Sequence, residues 1–437
     1  MSGTLSAVIP SGRAPVLESQ LDHSRHNLRQ FAVLAVQLAL LLLVFDLFGL
    51  ESGTLFTLGC LVFGGFAVSY WLPFRLKEPF FILLSLAGAY FLLDAVVASL
   101  LIIAGVILFA IVRSGLDFYG RVLVIIGFAL VCAYARATGR FPIPDHFWAV
   151  FGAIFMFRMI VYLYDIKHLP GPPGLNDFLS YFFLLPNYCF LLFPVIDFQT
   201  FRKSYFQRNI NTVAQQGVWW ILRGTIQLLL YRLVYQLEGI FVPPRRAVST
   251  SVVARIILGF LLYLQVSGQF HIIVGMLHLF GYDLPETNRK YLLSHSISDF
   301  WRRINIYWKD FMVKICYLPV FFKLRRKGEL RAQVVATILV FVTTWVLHGY
   351  QFFWLQGKFR MSVNDTLFWT ILGTLVVGNV WTEARQQKKH LSKIGCTARL
   401  WEAARIVATI SVLMVLWSLW SFNNLAEWVN FLKTGNL

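Results

Sequence analysis

Apolar runs of membrane-spanning length recur along most of the chain, separated by short polar and basic stretches. A transmembrane helix needs roughly 20 mostly apolar residues. Segments 31–50, 54–72, 121–136, 147–164, 217–237, 332–355, 365–382 and 402–422 meet or approach that length. The run 79–112 is too long for one straight span and carries Asp94 near its middle, so it reads as two segments. The run 252–280 reads the same way, with the break expected at Val266–Ser267–Gly268–Gln269. Segment 178–198 is apolar but holds Pro186 and Pro194. Each proline removes a backbone donor and crowds the preceding turn, so a kinked or broken span is expected. The pattern predicts an all-α, polytopic transmembrane bundle of about eleven membrane segments.

One region departs from the lipid-facing pattern. Between 286 and 327, Phe300, Trp301, Tyr307, Trp308 and Phe311 alternate with Arg302, Arg303, Lys309, Asp310 and Lys314. Interleaved aromatics and charges predict helices that lie at the interface or dip into a wet cavity as re-entrant elements. The stretch 168–177, HLPGPPGLND, predicts a rigid turn, and no internal repeat is evident.

Composition reinforces the pattern: 58% of the 437 residues are hydrophobic and only 14% are charged, against about 25% charged in soluble domains. The formal net charge is +18. Its Lys and Arg fall mainly between apolar runs, where they act as topology signals and contacts for anionic lipid headgroups, so no nucleic-acid partner is implied. Loop 323–331 carries Lys323, Arg325, Arg326, Lys327 and Arg331, and loop 383–400 carries Arg385, Lys388, Lys389, Lys393 and Arg399. The intervening loop 356–364 holds only Lys358 and Arg360. The positive-inside rule assigns the first two to the cytoplasm and the third to the outside. Residues 1–30 are polar and lack the basic start and early apolar core of a signal peptide, predicting a cytoplasmic tail ahead of a single membrane domain over 31–437. The five cysteines are scattered, with no metal-ligand spacing.

Polar groups at membrane depth are costly, and each invites a functional hypothesis. Asp46, Asp94, Arg158, Arg223, Arg232, Arg255, His271, His278 and His348 qualify. Pairing, helix capping or snorkelling accounts for most such charges. His271 and His278 share a helix face but have no third ligand, so no metal is expected. His348 differs in being followed by Gly349 and by Phe352, Phe353 and Trp354. Glycine admits close approach by a ligand or backbone, and a neutral imidazole in a dry site can take and return a hydroxyl proton.

The window SISDFWRRINIYWKDFMVKICYLP, followed by the membrane-depth pair His348–Gly349, resembles the membrane-bound O-acyltransferase (MBOAT) family. It is most similar to the bacterial branch of alginate O-acetyltransferases and teichoic-acid D-alanyl transferases, whose first motif reads F-W-(R/K)-R-W-H-I-S. Phe300, Trp301, Arg302, Arg303, Ile306, Trp308, Asp310 and Pro319 fit that frame, and Leu347, His348, Gly349, Phe352, Phe353 and Trp354 resemble the family's second motif. Upstream, YLYDIKH (162–168) and FPVIDFQTFRKSYF (193–206) are similar to the family's Tyr-Asp pair and its Pro-containing turn, with Pro194–Val195–Ile196 lacking the usual preceding Gly. The likeness covers roughly residues 155–360. At 305 the chain has Asn where that branch usually has His, an exchange also seen in other branches of the family.

The resemblance implies transfer of an acyl group from a thioester donor to a hydroxyl of an envelope polysaccharide, lipid or small molecule. His348 would be the general base and Asn305 the group orienting or stabilising the carbonyl. Trp301, Arg302, Arg303, Trp308, Asp310, Phe352 and Trp354 would contact substrate or donor. No bound cofactor or metal is implied; acyl-coenzyme A or an acyl-carrier thioester from the cytoplasm is the co-substrate. A multi-pass protein of the bacterial inner membrane, working beside envelope-modification partners, is expected. A polytopic transporter and a non-catalytic scaffold subunit are the rival classes, and a transporter would be expected to show repeated halves.

Overall fold

The computed structural model describes residues 20, 22–169, 171, 173–192, 194–241, 248–359, 361–386 and 396–435. Residues 1–19 and Leu21 of the expected tail lie outside the described residues, as do Arg360, Lys388, Lys389 and Lys393 of the charge reading and Phe193 of the upstream motif.

The described residues form helices α1 (Leu28–Leu47), α2 (Thr54–Trp71), α3 (Phe74–Leu92), α4 (Ala95–Arg113), α5 (Phe118–Thr138), α6 (Asp145–Phe155), α7 (Arg158–Ile166), α8 (Leu175–Phe182), α9 (Phe198–Ser204) and α10 (Ile210–Phe241). There follow α11 (Val248–Leu261), α12 (Tyr263–Leu279), α13 (Ile297–Arg303), α14 (Ile306–Met312), α15 (Leu318–Leu324), α16 (Glu329–Gln356), α17 (Val363–Gln386), α18 (Cys396–Trp420) and α19 (Leu425–Thr434). Among the described residues, eight helical stretches are long and apolar enough to cross a membrane. That is fewer than the sequence pattern suggested. Helices α3, α10 and α17, with 19, 32 and 24 residues, carry more polar side chains, such as Arg75, Lys77 and Glu78 in α3.

Several charges at membrane depth serve as helix caps. Asp94 ends the extended link after α3, and its Oδ1 accepts Val97 N–H at 2.9 Å, opening α4. The run 79–112 is therefore two helices of 19 residues each. Arg158, 2% exposed, donates from Nη1 to Tyr181 O at 2.6 Å and from Nη2 to Phe182 O at 3.0 Å. It thereby satisfies carbonyls at the end of α8 that have no helical partner. Arg232 donates to Phe48 O and Gly49 O just beyond α1.

The break expected at 266–269 is absent: the only interruption between α11 and α12 is Leu262, which keeps a right-handed helical backbone, and Val252–Leu279 runs on as one stretch of 28 residues. The glycine there has another purpose. Gly217 and Gly224 of α10 face Gly275 and Gly268 of α12 so closely that a Cβ on Gly224 would lie 2.5 Å from Gly268 O, and one on Gly217 2.6 Å from Gly275 O. Small residues let the two antiparallel backbones touch, as membrane helices favour. The segment 178–198 is broken as its prolines require: α8 gives way to a 3-10 turn at Leu185–Tyr188, and among the described residues helix does not resume before α9 at Phe198.

The 286–327 region is a string of short elements. Helices α13 and α14 meet at Asn305, and a π-helical turn, Val313–Tyr317, leads into α15. This string packs against α16 and α17. Lys314 on the π turn pairs with Asp165 at 2.5 Å and Asp197 at 2.8 Å, tying it to the end of α7 and the start of α9.

Candidate active site

Asn305 is fixed by backbone geometry before any chemistry. Its φ of 39° is left-handed, a region where Asn, Asp and His are enriched among non-glycine residues. It caps α14, with Oδ1 accepting Trp308 N–H at 3.3 Å. Its own N–H donates to Oδ1 of buried Asn288 at 2.8 Å. Both anchors use groups other than the side-chain amide nitrogen, and no described residue bonds to that Nδ2.

His348 projects from α16 into an aromatic enclosure. Its ring stacks on Trp369 at 4.8 Å and 27°, with Trp308 at 5.8 Å and Trp420 edge-on at 5.9 Å and 81°. Among the described residues it makes no hydrogen bond. Gly349 beside it sits against Phe359 and Met361, where a Cβ would come within 3.0 Å of the Phe359 ring.

His348 and Asn305 line one cavity of about 660 Å³. Its wall is mostly aromatic and aliphatic, with Trp301, Trp308, Phe352, Trp369 and Trp420 among the rings. Lys309, Gln351 and Gln356 add polar groups. Few polar groups on an apolar wall is the usual build of a small-molecule site.

Other residues singled out by sequence lie elsewhere. Arg302 pairs with Glu383 at 2.9 Å on the surface, and Arg303 pairs with Asp299 at 2.8 Å. Asp310 pairs with Lys309 at 2.7 Å and is more than half exposed. Trp354 is 2% exposed and packed on Gly152, Trp148 and Phe151, which makes it a core residue rather than a cavity wall. His271 stacks on Trp220 at 5.3 Å and meets Gln227 at 2.7 Å, while His278 Nδ1 meets Val274 O at 2.7 Å. Among the described residues no group of three or more His, Cys, Asp or Glu converges.

A second, polar cleft of about 570 Å³ lies at the junction of α9, the α10 start and the α12 end, lined by Lys203, Gln207, Arg208, Gln216 and Asp283. Arg208 and Asp283 form a two-pronged pair at 2.5 and 2.6 Å.

Sequence reasoning overlooked Asn288, Trp369 and Trp420. Asn288 sits in a polar stretch with nothing to mark it, and tryptophans in apolar helices resemble interfacial belt residues.

Comparison with curated proteins yields no match. The family profile described as MBOAT, membrane-bound O-acyltransferase family, matches residues 121–363, more than half of the chain and inclusive of both Asn305 and His348. Together with the helical spans, this makes the chain an integral, multi-pass membrane protein and a member of the membrane-bound O-acyltransferase family.

Proposed function

We propose that the chain moves an acyl group from a thioester, acyl-coenzyme A or an acyl-carrier protein, to a hydroxyl of an envelope polysaccharide, lipid or small molecule. His348 is the base and Asn305 the carbonyl donor. The observation that carries this reading is their meeting in one largely apolar cavity, although they come from separate elements.

In the reaction, a nitrogen of His348 takes the acceptor's hydroxyl proton as the oxygen attacks the thioester carbonyl. General-base help of this kind is worth roughly 10²–10⁴ in rate. The resulting imidazolium is stacked on the electron-rich face of Trp369, which favours a cation. Asn305 Nδ2 donates to the oxyanion, a contribution whose loss typically costs about 10²–10³. Collapse breaks the C–S bond, and the departing thiolate takes the proton back from His348. The apolar wall keeps water from the thioester. The basic end at 323–331 faces the cytoplasm of a bacterial inner membrane, so the donor arrives from that side.

The test is consumption of labelled acyl-coenzyme A donors, acetyl to long-chain, by purified protein beside His348→Ala and Asn305→Ala. Loss of transfer in a folded His348→Ala protein supports the reading. Transfer that survives there removes His348 as the base and brings the scaffold and transporter classes forward.

A further inference from the structure

The sequence Ser362–Val363–Asn364–Asp365 opens α17 with a reciprocal cap. Ser362 Oγ accepts Asp365 N–H at 3.0 Å, and Asp365 Oδ2 accepts Ser362 N–H at 2.8 Å. Such boxes anchor a helix start, and here the cap fixes the carboxylate as well. With Oδ2 held, Oδ1 faces α18 and accepts Trp420 Nε1–H at 2.7 Å. One turn along α17, Phe368 stacks on the same indole at 4.8 Å and 16°. Trp420 is thus gripped at its edge by a charged acceptor and on its face by a phenyl ring. The neighbouring Trp369 stacks on His348, and Trp420 closes on it edge-on.

A general base is ordinarily oriented by an acceptor on its second nitrogen, and His348 has none among the described residues. We propose that Asp365 is a positioning residue that orients His348 through Trp420, so that a braced indole does the work usually done by a carboxylate bonded to the imidazole. The proposal rests on His348 being the base. Asp365 makes no hydrogen bond to the imidazole; its positioning effect passes through the Nε1–H bond, beside the direct electrostatic attraction that its charge exerts on His348.

The measurement needs no turnover. Purified full-length protein in detergent is treated with diethylpyrocarbonate at one near-neutral pH, and the rate of His348 carbethoxylation is followed by peptide mass spectrometry. Trp420→Phe keeps a ring but deletes the N–H; Asp365→Ala deletes the acceptor. A hydrogen bond to a charged acceptor is worth roughly 1.5–3 kcal/mol, so each variant is expected to raise the His348 rate about ten- to hundredfold as the wall loosens. The double variant is expected to go no further than either single one, because both remove the same bond. Asp365→Asn has one accepting oxygen for two donors, Ser362 N–H and Trp420 Nε1–H, so it is expected to raise the rate, but no further than Asp365→Ala. Thr366→Ala, which deletes a nearby hydroxyl bonded to Ser362 O at 3.0 Å and leaves both Asp365 oxygens engaged, controls for general destabilisation of the helix start and is expected to leave the rate unchanged.

Unchanged rates in folded Trp420→Phe, or additive effects in the double variant, overturn the proposal. Should Asp365→Ala fail to fold, Trp420→Phe still decides it. A His348→Ala protein that retains acyl transfer would remove the base assignment while leaving the labelling result interpretable, so the two failures are distinguishable.

Discussion

The backbone N–H of Asn305 donates to Oδ1 of Asn288 at 2.8 Å, and the same oxygen lies 3.4 Å from the hydroxyl of Tyr263, a cavity-wall residue. One buried amide therefore sets the turn that presents Asn305. Asn288→Ala leaves the Asn305 N–H without its acceptor, at about 1–3 kcal/mol for a buried donor. A lower thermal midpoint in detergent, together with reduced acyl transfer, is the expected outcome.

Substitutions at 305 separate backbone from chemistry. Asn305→Asp keeps a capping oxygen and tolerates the left-handed turn, but loses the amide donor. Its fold should survive while transfer falls by about 10²–10³. Asn305→Val fails on the backbone, since a β-branched residue at positive φ is strained by about 1–3 kcal/mol. Paired thermal melts and initial rates distinguish the two losses.

The glycine contact between α10 and α12 predicts a sharp positional effect. In Gly224→Ala the new Cβ would lie 2.5 Å from the carbonyl oxygen of Gly268, which is backbone and cannot swing aside. Overpacking of this kind typically costs about 1–3 kcal/mol. Gly259→Ala in α11 meets nothing within 4 Å and is expected to be neutral or to gain up to about 1 kcal/mol from helix propensity. Melts of the two variants should move apart.

Asp299 predicts one component of acid sensitivity. Burial pushes its carboxyl up, but hydrogen bonds from Arg303 Nε at 2.8 Å and His295 N–H at 3.1 Å outweigh that and hold it below the usual carboxylate range. A lowered folded value means the stabilisation is fully present above the unfolded value of about 3.9 and is lost as pH falls through the folded one. Asp299→Asn should flatten that part of the stability-versus-pH curve below about pH 4, and leave the neutral region lower by a constant amount.

Much of the architecture was legible because lipid imposes long apolar helices; the window around Asn305 stood out by interleaved charges and aromatics, and that around His348 by a histidine set before glycine and aromatics. Gly268 misled: a glycine within a long apolar run signals a break and a close crossing equally well, and only the partner helix tells them apart. Sequence shows the charge of Arg302 and Arg303 but not that Glu383 and Asp299 pair with them. Trp354 looked like a wall residue because sequence cannot say which side of α16 faces Gly152. Asp365 and Trp420 stayed invisible for a related reason, since their link joins opposite ends of the consecutive helices α17 and α18.

The left-handed turn at 305 narrows which side chains evolution can try there. Asn, Asp and His are the non-glycine residues that accept such a backbone most readily. Two of them, Asn and His, are also able to donate a hydrogen bond at neutral pH. Exchange between those two alters proton chemistry without redrawing the chain trace, so the turn works as a socket with a short menu.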